Sequence, residues 1–168
     1  MTQLHTAASA HDPRHDFDFL HGRWTVRHRR LTGRLKGDDQ WVEFDGHTVC
    51  RPVLGGLANL EENVFPSRGA TGAAFRSLDV QAGEWTILWV DSRSGRIDPP
   101  MVGRFQPSAE GPVGTFLGED VHDGRPIRVR FLWRGITPTS ARWEQAFSTD
   151  GGANWETNWT MDFSRTGF

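Results

Sequence analysis

Apolar residues in this chain alternate with polar ones and do not recur at helical spacing. In RPIRVRFLWRG, residues 125–135, Ile127, Val129, Phe131 and Trp133 share one face and Arg128, Arg130 and Arg134 the other. In NWETNWTMDF, residues 154–163, the period sets Trp155, Thr157, Trp159, Met161 and Phe163 against Asn154, Glu156, Asn158, Thr160 and Asp162. A period of two with one apolar face marks a half-buried antiparallel strand. EWTILWVD, residues 84–91, is apolar on both faces and is expected to lie under neighbours on each side. Read this way, the chain has strands near 23–31, 40–50, 59–65, 73–79, 84–91, 101–106, 113–119, 126–135, 140–149 and 155–164. Turn signals separate them: HDG at 122–124, SRSG at 92–95, and DPP at 98–100 for a longer excursion. Roughly ten short strands at this spacing predict an all-β sandwich or an up-and-down antiparallel barrel.

FDFLHGRW, residues 17–24, breaks the alternation. Phe17, Phe19 and Leu20 fit one helical turn with its rings turned inward, and Gly22 lets the backbone swing into the strand that begins near Trp24. This is a short N-terminal helical plug for one end of a barrel. The Phe-x-Phe-Leu-x-Gly-x-Trp pattern resembles the opening of bacterial lipocalin-like (calycin) domains of unknown function, which are related in shape to the haem-binding nitrobindins. The resemblance implies a single lipocalin-like antiparallel barrel with an interior cavity, and no particular reaction. It also implies an arginine near the last strand that packs on the tryptophan, and Arg165 stands where that pattern would place it. Nitrobindin-like proteins carry their iron-binding histidine towards the C-terminal end of the barrel. Here the last histidine is His122, in a predicted turn, so the resemblance extends to the fold and not to the haem ligand.

Length and composition narrow the picture further. A chain of 168 residues suits one domain. The plugged barrel is assigned to residues 15–168 and the first 14 residues are expected to be loose. A net charge of −2, with arginines spread along strands, gives no footprint for nucleic acid. No apolar run long enough for a signal peptide or membrane span is visible, and the single cysteine, Cys50, fits a reducing compartment, so a cytoplasmic location is expected. The chain has 8 Trp, 11 Phe and no Tyr. So many rings with so few hydroxyls suit an apolar cavity.

Candidate chemistry is sparse. His11 and His15 have the spacing of a helical metal pair, but Pro13 sits between them and they read as solvated; no metal and no cofactor is assigned. STDGGANW, residues 148–155, matches the Asp-box hairpin of sialidase propellers. It occurs once, so it reads as a tight turn held by Asp150 and covered by Trp155. His28 shares the inward face of Trp24 and Val26 by alternation. The expected function is binding of a small, largely apolar or aromatic molecule, as carrier or sensor, with Trp24, His28, Trp89, Trp133, Trp143, Gln145 and Trp159 as the binding residues. The alternative is an isomerase or cyclase acting on an apolar metabolite, with His28 as acid or base and Asp91 or Glu62 in support. A homodimer is compatible with either.

Overall fold

The computed structural model describes residues 11–168. Ten strands are present: β1 (Gly22–Leu31), β2 (Trp41–Val53), β3 (Ala58–Phe65), β4 (Ala70–Asp79), β5 (Glu84–Asp91), β6 (Met101–Gln106), β7 (Val113–His122), β8 (Arg125–Arg134), β9 (Ser140–Ser148) and β10 (Glu156–Gly167). Each pairs antiparallel with the next, and β10 returns to β1, so the sheet closes and leaves no edge. The fold is a closed antiparallel β-barrel, and the two runs of alternation identified in the sequence fall on β8 and, from Glu156 on, β10. No helix among the described residues is long and apolar enough to cross a membrane.

Up-and-down connectivity gives each end of the barrel a fixed set of residues. β1 starts at the plugged end, where Trp24 lies, and finishes at the opposite end with Arg30 and Leu31. The plug consists of two 3₁₀ turns, Pro13–His15 and Asp18–Leu20. Phe17 is driven into the barrel, with Trp85 and Phe105 edge-on at 5.0 Å each. His11 pairs with the buried Asp16 at 2.8 Å, and the Trp85 Nε1–H donates to Asp16 Oδ2 at 3.2 Å. His15 instead meets Asp18 at 2.7 Å. The two histidines are therefore engaged with separate carboxylates. Of the segment expected to be loose, residues 1–10 lie outside the described residues and residues 11–14 make these and neighbouring contacts.

The seal at this end joins the first strand to the last. Trp24 is 1 % exposed and its Nε1–H donates to the Leu20 carbonyl at 2.9 Å. The Arg165 guanidinium lies 4.1 Å from the centre of the Trp24 ring system. It also donates to the carbonyls of His21 at 2.6 Å, Pro138 at 2.8 Å and Phe19. One cation thus covers an indole and caps three carbonyls that no ladder serves. Gly22 has φ 117°, and a side chain there would strike Arg165 and the Gly167 carbonyl. The glycine is required by this junction as well as by the turn.

Two local details depart from the sequence pattern. Register in β10 slips between Thr157 and Trp159, so Asn158 is an extra residue. This bulge reverses the alternation before it: Trp159, Met161 and Phe163 face inward, but Trp155 precedes the strand and lies beneath the Arg130 guanidinium at 4.6 Å. The β5–β6 ladder has only three registered pairs, from Trp85 to Ile87. SRSG is a tight turn, with Gly95 N donating to the Asp91 carbonyl at 2.8 Å and Asp98 N to the Trp89 carbonyl at 2.9 Å, and it opens a longer excursion over residues 92–100 before β6. A bridge from Val90 to Ile97 closes part of the gap.

The Asp-box segment is a hairpin turn. Asp150 accepts from Asn154 N at 2.8 Å, Asn154 Nδ2 at 2.7 Å and Ser148 Oγ at 2.8 Å, which pulls its carboxyl down to about 2.

Two outcomes follow from these contacts. Trp24→Ala empties the plug and is expected to lower stability by about 3–5 kcal/mol in denaturant titration, as for other large-to-small core changes; a wild-type unfolding midpoint would contradict the seal. Asp150→Ala is expected to lower the melting temperature and leave binding of an apolar probe unchanged, because the turn lies outside the interior.

Candidate functional site

Above the plug the barrel holds a cavity of about 270 Å³ that reaches the surface at the opposite end. Its walls are Trp89, Trp143, Trp159 and Phe131, and Trp133 lies deeper, towards the plug. The rings interlock: Trp143 stands edge-on to Trp159 at 5.8 Å and tilts on Phe131 at 4.9 Å. The Trp89 indole packs against the backbone of β4 because Gly72 has no side chain; a Cβ there would collide with the ring. Gln145 lines the same space and donates from Nε2 to Asn158 Oδ1 at 2.9 Å, so the bulge in β10 serves to satisfy it.

The floor is polar. Glu61 and Arg76 form an ion pair at 2.8 Å with both side chains at most 5 % exposed. Arg76 also donates to Asn59 Oδ1 at 3.0 Å and lies 5.1 Å from the centre of the Phe17 ring. Asn63 donates to the other Glu61 oxygen at 2.6 Å and accepts from Thr48. A charge in this low-dielectric interior is tolerated only when it is paired, as Arg76 is with Glu61 and Asn59, although the Arg76 Nε–H has no partner among the described residues. β2, β3 and β4 therefore carry polar residues inward, and Leu60 and Phe75, paired with each other, face out.

This arrangement corrects the carboxylate expected from the sequence. Glu62 is exposed on the outer wall; Glu61, one residue earlier, is the interior acid. Leu60 and Val64 suggest an inward face made of even-numbered residues, and the Asn59–Glu61–Asn63 network reverses it. Trp24 is corrected as well: it belongs to the plug and does not line the cavity. Trp89, Trp133, Trp143, Gln145 and Trp159 do line it.

His28 points inward, as the alternation requires, and is 0 % exposed. It does not line the cavity. It stacks on Phe44 at 4.6 Å with 4° between planes, meets Phe65 edge-on at 5.2 Å, and sits one layer behind Phe65 and Trp159. The Trp159 Nε1–H donates to His28 Nδ1 at 3.2 Å. The ring proton must then lie on Nε2, which faces Gly46 and has no partner among the described residues. Burial pushes the imidazole down to about 4, in keeping with a neutral ring that accepts at Nδ1. Asp91 is at the mouth, with both oxygens held by Arg93 at 2.9 and 2.7 Å, which keeps its carboxyl below the usual range. The expected acid or base and its supporting acids, His28, Asp91 and Glu62, are therefore not brought together around the cavity.

The mouth carries residues that alternation did not single out. Arg30 lies 5.0 Å from the centre of Trp159 and Arg34 5.3 Å from that of Phe147. Arg34 belongs to the loop after β1, which crosses the rim: Leu35 N donates to Glu156 Oε1 at 2.8 Å, and Lys36 reaches Asp123 at 3.9 Å. Asp98, Glu119 and Asp120 stand on the β5–β7 side of the rim. His122 ends β7 and is, among the described residues, the one histidine on the cavity wall. A haem does not fit these residues. The macrocycle is larger than a cavity of about 270 Å³, and the wall offers a single imidazole at the rim.

No family model and no curated protein matches the chain.

The buried His28 sets a pH dependence. Its folded value of about 4 lies below the ordinary 6.5, so the unfolded chain binds more protons between those limits. Its contribution is complete above pH 6.5 and is lost as pH falls towards 4, by about 3 kcal/mol in all. Unfolding free energies of wild type and His28→Gln, measured from pH 7 to pH 4, are expected to show this slope in the wild type and a shallower one in the variant.

Proposed function

We propose that this barrel is a lipocalin-like small-molecule carrier or sensor whose ligand is flat and largely apolar. The observation that supports it is the cavity itself, walled by Trp89, Trp143, Trp159 and Phe131 and sealed at one end by the plug. Such walls offer dispersion and ring stacking along the whole length of a planar guest, and few directional contacts. A volume of about 270 Å³ is at the lower edge of ligand pockets and favours one or two rings. An isomerase or cyclase needs a proton donor or acceptor against its substrate. His28 lies a layer back from the cavity and Asp91 is committed to Arg93, so binding is the better-supported reading.

The neutral two-ring fluorophore 2-naphthol is expected to bind at one site and quench the tryptophans. Ala74→Leu, which grows a side chain into the cavity from β4, is expected to abolish that binding and leave the melting temperature near wild type. A probe that fails to bind, or that binds Ala74→Leu equally well, contradicts the reading. Native mass spectrometry of protein isolated from its own host would identify a retained ligand directly.

A further inference from the structure

We infer that the ligand is a small planar aromatic carboxylate, with its rings among the tryptophans and its carboxylate held at the mouth by Arg30 and Arg34. This rests on the cavity being a small-molecule site. Both arginines are half-buried and line the cavity. Neither makes a hydrogen bond or an ion pair with a carboxylate among the described residues, whereas two other cavity arginines are committed and the remaining one, Arg96, is exposed. Arg76 is held by Glu61 and Arg93 by Asp91, and the exposed Arg96 stands near Asp98. The acids nearest Arg34 are occupied: Asp123 faces Lys36 and Glu156 accepts from Leu35 N.

The two guanidinium groups rest on rings, Arg30 on Trp159 and Arg34 on Phe147. Stacking fixes the plane of each fork and leaves its edge N–H groups for a ligand oxygen. The mouth also carries a repulsion that an anion would relieve. Burial, with Arg34, Arg68 and Arg93 close by, lowers Arg30 to about 10, far below an ordinary guanidinium. Burial lowers Arg34 too. Trp159 joins this edge to the wall, so an anion at Arg30 is contiguous with a ring stacked in the cavity.

The rest of the rim limits the charge. Asp98, Glu119 and Asp120 face the same opening from β7 and the loop after β5, and Asp98 is already pushed up by burial and by Asp120. A dianion such as a phosphate monoester would meet these acids, whereas a single carboxylate matches the fork and adds one charge.

The test compares two probes of nearly identical shape, 2-naphthoate and the neutral 2-naphthamide, by tryptophan quenching and calorimetry. 2-Naphthoate is expected to bind about tenfold tighter or better, and to weaken as salt is raised. Arg30→Gln and Arg34→Gln are each expected to lose about that factor for 2-naphthoate and to hold 2-naphthamide within about twofold. Their melting temperatures are expected at or above wild type, since a buried charge is removed. Equal binding of the two probes to the wild-type protein overturns the carboxylate and leaves the cavity reading standing. A preference that survives both substitutions overturns the assignment to Arg30 and Arg34. Binding of neither probe overturns the cavity reading and this inference with it. Should a variant fail to fold, the wild-type comparison and its salt dependence still decide.

Discussion

A guanidinium buried in an aromatic barrel constrains everything around it. Arg76 lies between the plug and the cavity, against the rings of Phe17 and Trp133, where an unpaired cation would cost several kcal/mol. Glu61 neutralises it, Asn59 takes a second N–H, and Asn63, itself held by the Thr48 hydroxyl, donates to the carboxylate's other oxygen. Serving this one charge commits the middle of β3 to polar residues inward and takes Thr48 from β2. It also divides the interior into a dry plug core below and a cavity above. Removing Glu61 alone would leave the cation stranded, which is why such pairs are costly to break though they add little as a unit.

The opposite wall is built on another principle. Strands β8, β9 and β10 send in Phe131, Trp143, Trp159 and Met161, and packing decides the arrangement. Small residues and bulges make room: Gly72 for Trp89, Gly46 for His28, and the extra residue Asn158 as a partner for Gln145. The cavity lies between a wall fixed by hydrogen bonds and a wall fixed by ring shape. Such a space presents a polar edge below and flat apolar faces at the side, a geometry that orients a guest without gripping it at many points.

The fold was legible because its signal is redundant. Most strands announce themselves by alternation or by a short apolar run between turn signals, and slips at strand ends, such as the longer β7, do not change closure. The tryptophan wall was legible for the same reason, since β5, β8 and β9 are apolar on the inward face and polar or mixed outside. Glu61 and Arg76 were not legible. In β3 and β4 the apolar residues Leu60 and Phe75 lie outside, so the rule that reads inward from apolar character selects the wrong face. Only the register between strands shows that Asn59, Glu61 and Asn63 face Arg76 and Thr48. The mouth was equally hidden, because Arg34 lies in a loop and alternation says nothing about loops.

Within β1 the inward set is Trp24, Val26, His28 and Arg30, one face of one strand, and depth alone separates their roles. Trp24 lies at the sealed end under Arg165. His28 is halfway up, where no water reaches it, and its ring is held neutral by burial and by the indole that donates to it. Arg30 is two residues further, where the barrel opens, and keeps its charge although burial and neighbouring arginines oppose it. Imidazole and guanidinium thus meet the same desolvation with opposite outcomes, because one can release its proton below neutrality and the other cannot. A neutral ring packed behind Trp159 steadies the wall, whereas a cation on the front of the same tryptophan has an electrostatic reason to take an anion. Trp159, which donates to His28 from its indole N–H and carries Arg30 over its ring, is where the interior of the barrel meets its charged mouth.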